Sequence, residues 1–64
     1  MQRNNIRTVR KLRGMTREVL AAKAGISIEA LFDFENYYKS PTLSELEAIA
    51  KALDVSAADL VRGV

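Results

Sequence analysis

The groups able to do chemistry in this chain are carboxylates, guanidinium and ammonium groups, and hydroxyls; histidine and cysteine are both absent. The hydroxyls of Thr16, Ser27, Ser40, Thr42, Ser44 and Ser56 therefore have no imidazole beside them. A serine or threonine without an adjacent base is a weak nucleophile. There is no Gly-rich phosphate loop, and no Cys/His zinc site can form. Glu45 and Glu47 stand two apart, which on a helix turns them to different faces, so they cannot chelate one ion together. An enzyme, a bound cofactor, a metal and a small-molecule substrate are all set aside on these grounds. What remains is recognition, and the stretch after Gly25 is unusual for it. That stretch carries Glu29, Asp33 and Glu35 with no Lys or Arg among them, and adds Ile28 and Phe32.

Charge is distributed unevenly along the 64 residues. Residues 1–25 hold seven basic side chains (Arg3, Arg7, Arg10, Lys11, Arg13, Arg17 and Lys23) against one acid, Glu18, a balance of +6. Residues 26–64 hold three basic side chains (Lys39, Lys51 and Arg62) against seven acids, a balance of −4, and the chain totals +2. A basic half is the footprint of a phosphate-facing surface, or simply a solvated helix face that keeps the protein soluble. The length allows one small domain, residues 1–64, which buries only about 60% of its unfolded surface. No disulfide framework is possible, which suits a reducing compartment. The polar start Met-Gln-Arg-Asn-Asn-Ile-Arg is no signal peptide, and no apolar run approaches the roughly 20 residues of a membrane span. The expected location is cytoplasmic.

Local punctuation divides the chain into five helical segments. Asn4 or Asn5 caps the first, with Ile6, Val9 and Leu12 facing inward and Gly14 stopping it. Thr16 caps the second, whose inner residues are Leu20, Ala21 and Ala24, and Gly25 ends it with a turn that calls for positive φ. Ser27 caps the third, with Leu31 and Phe34 inward. Residues 36–41 form a loop, since Pro41 disfavours helix at the residue before it. Thr42 and Glu45 make a capping box for the fourth, with Leu43, Leu46, Ile49, Ala50 and Leu53 as its apolar stripe. Ser56 starts a fifth containing Leu60 and Val61, ended by Gly63. No period-two apolar run suggests a strand. The fold class is all-α, a compact five-helix bundle. Residues 16–36, two short amphipathic helices joined by a glycine turn, have the pattern of a helix-turn-helix motif. The second helix of such a motif enters the DNA major groove.

From Ile6 to Leu60 the sequence resembles the Cro/C1-type (XRE-like) helix-turn-helix domain, without obvious gaps. The resemblance rests on Ile6-Arg7-Thr8-Val9-Arg10, Gly14-Met15-Thr16, Leu20-Ala21, Ala24-Gly25-Ile26-Ser27, Glu35-Asn36, Pro41-Thr42-Leu43 and residues 49–56 in order. It implies a bundle of the lambda-repressor-like DNA-binding type. It also implies an ion pair between Arg10 and Glu35, which makes both structural first. Arg17 stands where a Gln usually touches phosphate, and Lys39 lies in the loop that usually tracks the backbone. Ser27, Ile28, Glu29, Phe32 and Asp33 fall at the start and on the reading face of the third helix. There Ile28 can meet a thymine methyl and the two acids can accept from cytosine amino groups. Tyr38 replaces a common Lys of the DNA surface. Tyr37 replaces the glycine usual at the helix end, so Asn36 takes the left-handed turn or the helix ends differently.

Ile28, Phe32, Tyr37 and Tyr38 together would make an apolar patch large for a monomer, unless Phe32 or Tyr37 folds back on the loop. Leu12 and Val19, at positions often charged in the family, enlarge the small core rather than form a second sticky face. Two functions follow. One is a sequence-specific DNA-binding transcriptional regulator, phage- or plasmid-repressor-like or a small bacterial transcription factor, with its third helix in the major groove and a homodimer on DNA. The alternative is a protein-binding module, anti-activator or antitoxin-like, that uses the apolar third-helix surface. The dimer surface expected from the family is the fifth helix, with Leu60, Val61 and Val64, and the third-helix patch is its rival.

Overall fold

A computed structural model describes residues 4–61, and Arg3, Arg62, Gly63 and Val64 lie outside the described residues. Four α-helices follow one another: α1 (Ile6–Leu12), α2 (Arg17–Ala24), α3 (Ile28–Glu35) and α4 (Leu43–Leu53). Among the described residues there is no strand, and no helix is long and apolar enough to cross a membrane. Hydroxyl caps start three of the helices. Thr16 accepts from the Val19 N–H (3.2 Å) and Ser27 from the Ala30 N–H (3.0 Å). Thr42 and Glu45 close a reciprocal capping box (3.1 and 2.8 Å), each satisfying an amide that the first turn leaves without a helical partner. α2 stops at Gly25, whose φ of +72° lets the Ile26 N–H return to the Ala21 carbonyl (3.0 Å). That left-handed residue makes the tight turn between α2 and α3.

The apolar faces of the four helices converge on Ile6, Leu20, Leu31, Ile49, Leu53 and Leu60, all fully buried, with Phe34, Ala21 and Ala50 around them. α4 packs chiefly across α2, and α3 lies against α1 and α2. The fifth segment departs from expectation. It is a four-residue 3₁₀ helix, Ala57–Leu60, and not a further α-helix. A 3₁₀ turn eclipses i and i+3, which brings Ala57 and Leu60 to the core side together. Ser56 and Asp59 close a capping box across it (3.2 and 3.1 Å), and the Leu60 carbonyl accepts from the Asn5 N–H (2.6 Å) instead of continuing a helix.

Three apolar residues assigned inward are exposed. Leu12 is 80% exposed, because the buried face of α1 carries Ile6 and Arg10 and position 12 falls opposite it at 100° per residue. Leu12 and Val19 (44%) therefore do not enlarge the core. Leu43 (69%) heads the α4 stripe, but the buried residues of α4 begin only at Ile49.

At the end of α3, Asn36 stays right-handed (φ −99°) and Tyr37 takes the left-handed turn (φ +64°), the reverse of one expectation above. The Asn36 amide donates to the Phe32 carbonyl (2.9 Å), a local bond that holds it in place. The Tyr38 and Lys39 N–H groups both return to the Asp33 carbonyl (2.9 and 3.3 Å), which forces the reversal onto Tyr37. Tyr37 is half-buried and its hydroxyl reaches the Asn4 carbonyl (3.5 Å). Asn4 itself donates to the Phe34 carbonyl (2.9 Å) and accepts from the Ile6 N–H (3.0 Å), so it caps α1 and joins it to the end of α3. Asn5, at the cap position, makes no side-chain cap bond.

Candidate nucleic-acid interface

The turn at Gly25 joins the end of α2 to the start of α3, and a groove of about 370 Å³ opens between the first turn of α2 and one face of α3. Arg17 and Glu18 line it from the first turn of α2, and Ile28, Glu29, Phe32 and Asp33 line it from α3. Five expected recognition residues thus share one cleft, and Glu18, which sequence reasoning passed over, joins them. Ile28 and Phe32 are 45% and 43% exposed, so their apolar surfaces reach solvent along the groove. Ser27 spends one lone pair capping α3.

Arg17 is half-buried, and its guanidinium lies over the Phe32 ring, 5.1 Å from the centroid. A cation above an aromatic face is attracted by the ring quadrupole. The ring of Tyr38 stands 6.2 Å from that of Phe32, tilted by 45°. Arg17, Phe32 and Tyr38 therefore form a row running from α2 over α3 to the α3–α4 loop. Tyr37 lies outside it, turned to Asn4. The four-residue apolar patch is thus reduced to Ile28, Phe32 and Tyr38, with a guanidinium over its middle. On the same side, Lys39 pairs with Asp33 at 3.9 Å, a solvent-exposed contact of little energetic weight.

Arg10 and Glu35 lie elsewhere. The Arg10 Nε donates to Glu35 Oε2 (2.7 Å), Nη2 to Oε1 (3.2 Å) and Nη1 to the Met15 carbonyl (2.8 Å). Both side chains are buried, and this bidentate pair fastens α1 to α3 beneath the groove. Neither charge faces outward. The basic excess of the first 25 residues is smaller at the surface than the sequence suggests. Arg13 stays exposed and keeps its charge at the surface, while it donates to the Asp54 carbonyl at 3.4 Å.

The family's expected dimer surface needs correction. Leu60 is completely buried and cannot line an interface, because its side chain closes the core against α4. Val61 is 44% exposed, and Val64 is outside the described residues. Among the described residues, no group of acidic side chains is placed to hold a metal ion.

The helix-turn-helix family model matches residues 6–60 of this chain. Two curated relatives share its sequence. It is 43% identical over 51 residues to the Methylphosphonate synthase of Nitrosopumilus maritimus, covering 80% of this chain and 11% of that protein. It is 41% identical over 56 residues to the Immunity repressor protein of Bacillus phage phi105, covering 88% of this chain and 39% of that one. The chain therefore spans well under half the length of either. Among solved structures, the SinR protein/SinI protein complex superposes with a TM-score of 0.86 at 32% identity, over 92% of this chain and 58% of that one. The P22 c2 repressor protein, in complex with a synthetic operator, superposes with a TM-score of 0.83 at 30% identity, over 94% of this chain and 91% of that one.

Proposed function

This chain belongs to the Cro/C1-type helix-turn-helix family, and from that premise we propose that it is a DNA-binding transcriptional regulator, repressor-like, whose α3 lies in the major groove. The observation that carries the proposal is the cleft between the first turn of α2 and the exposed face of α3, with Arg17 lining it. Helix N-termini offer free amides and a positive dipole end to phosphate. Arg17 and Lys39 add cationic contacts on either side of α3 and set its register on the duplex. Base reading then falls to Glu29 and Asp33, which as carboxylates accept from exocyclic amino groups of cytosine, and to Ile28, which packs on a thymine methyl. The same acids repel phosphate, so affinity rests on few cations and DNA shape carries part of the specificity. The protein works as a homodimer in the cytoplasm.

A protein partner in place of DNA is the other reading of the apolar α3 surface. The carboxylates of Glu18, Glu29 and Asp33 around that surface weigh against it, since the centres of protein interfaces are depleted of acidic groups.

Titration of the purified protein against genomic fragments at low salt tests the proposal. Retardation that weakens with salt supports it, and no retardation of any fragment overturns it. Arg17→Ala should lower affinity on all fragments alike and reduce the slope of log K against log salt by about one.

A further inference from the structure

Arg17 shares its groove with three carboxylates, those of Glu18, Glu29 and Asp33. An arginine in such company ordinarily folds onto one of them. Yet among the described residues the ion pairs are Arg10–Glu35 and Lys39–Asp33, and Arg17 makes none. Its guanidinium rests on the Phe32 ring instead, and that ring is flanked in turn by Tyr38.

We propose that Phe32 is a positioning residue for the Arg17 contact to DNA phosphate, with Tyr38 bracing the ring. This rests on the DNA-binding reading above. The physical case has two parts. A guanidinium held by its face keeps its N–H edge free, and the edge is what grips a phosphate bidentately. An arginine already confined to one place also loses less rotamer freedom on binding, which for a long side chain is a sizeable part of the cost of association. The ring thus does two things at once: it keeps the cation away from the acids of its own surface, and it fixes where the cation meets the duplex. A Phe among base-reading positions is explained without requiring it to touch a base.

The test is a double-mutant cycle on DNA binding, read by fluorescence anisotropy with a random-sequence duplex at low salt. Its members are Arg17→Ala, Phe32→Leu and the double variant. Leu keeps helix propensity and bulk at a position that is already 43% exposed, and unchanged thermal unfolding verifies the fold. Phe32→Leu should weaken binding about threefold and lower the salt slope towards that of Arg17→Ala. In the Arg17→Ala background the same substitution should have no further effect. Phe32→Tyr, which keeps the ring, should retain full affinity. A readout independent of DNA accompanies the cycle: the side-chain protons of Arg17 should show an upfield ring-current shift by NMR, kept in Phe32→Tyr and lost in Phe32→Leu. Equal losses from Phe32→Leu in both backgrounds, or no loss in either, overturn the positioning role and leave the DNA-binding reading standing. No binding by the unsubstituted chain overturns both.

Discussion

At the scale of single residues, the most consequential contact is the buried pair of Arg10 and Glu35. Their attraction offsets the cost of removing two charges from water only while both are present. Glu35→Ala leaves the guanidinium uncompensated and should cost about 3–5 kcal/mol. A domain of this size has roughly that much stability in total. The variant should therefore be largely unfolded at 25 °C, as seen by far-UV circular dichroism. Replacing both partners with apolar groups of similar volume, Arg10→Met with Glu35→Leu, should restore folding to near the original level. The site was legible at this scale to different degrees. That positions 28, 29, 32 and 33 cluster on one face of α3 follows from helical spacing alone. The stacking of Arg17 on Phe32 does not, because it depends on how α2 and α3 cross, which no local pattern encodes. The same limit applies to Asn4, a plain polar residue in sequence whose amide reaches the last turn of α3.

At the scale of elements, the helix boundaries were the most readable part of the chain. Hydroxyl caps and the glycine at position 25 act within a few residues, so their signal is contained in the local sequence. Thr42→Ala, which removes half of the capping box on α4, should lower stability by about 1 kcal/mol in a urea titration. The C-terminal end of α4 was not foreseen. Asp54 adopts the left-handed conformation there (φ +60°) and places an acid at the negative end of the helix. Asp54→Gly removes both penalties and leaves the carbonyl that Arg13 contacts, so it should raise stability by about 0.5–1 kcal/mol in the same experiment. Tyr37 was hidden for a comparable reason. A left-handed tyrosine is disfavoured in isolation, and only the pull of two amides on the Asp33 carbonyl, together with its own contact to Asn4, places it there. The 3₁₀ helix likewise reflects tertiary demand, since burial of Leu60 and the bond from Asn5 decide the winding of a segment too short to decide for itself.

At the scale of the whole molecule, the principal extents are 25 × 21 × 20 Å. Successive half-sites on one side of a duplex are about 34 Å apart. One copy therefore covers less than a full turn and can place a single α3 in the major groove. Two chains per site are expected, with half-sites one turn apart. Analytical ultracentrifugation on a short labelled duplex should give two chains per duplex at saturation, and one chain at saturation would contradict the arrangement. The exposed apolar residues Leu12, Leu43 and Val61 are not needed for the core, and substitution by polar residues should leave the fold intact.

The bond from the Asn5 N–H to the Leu60 carbonyl, at 2.6 Å, holds the beginning and the end of the folded unit against each other. The two ends of such a unit are neighbours in space. Its order of helices is therefore not tied to where the peptide is cut. A short bridge between the two ends, with new termini opened in the α3–α4 loop, should yield a circular permutant with the same core. The same proximity makes it an insertable cassette, since a host chain can enter and leave at neighbouring points without being pulled apart.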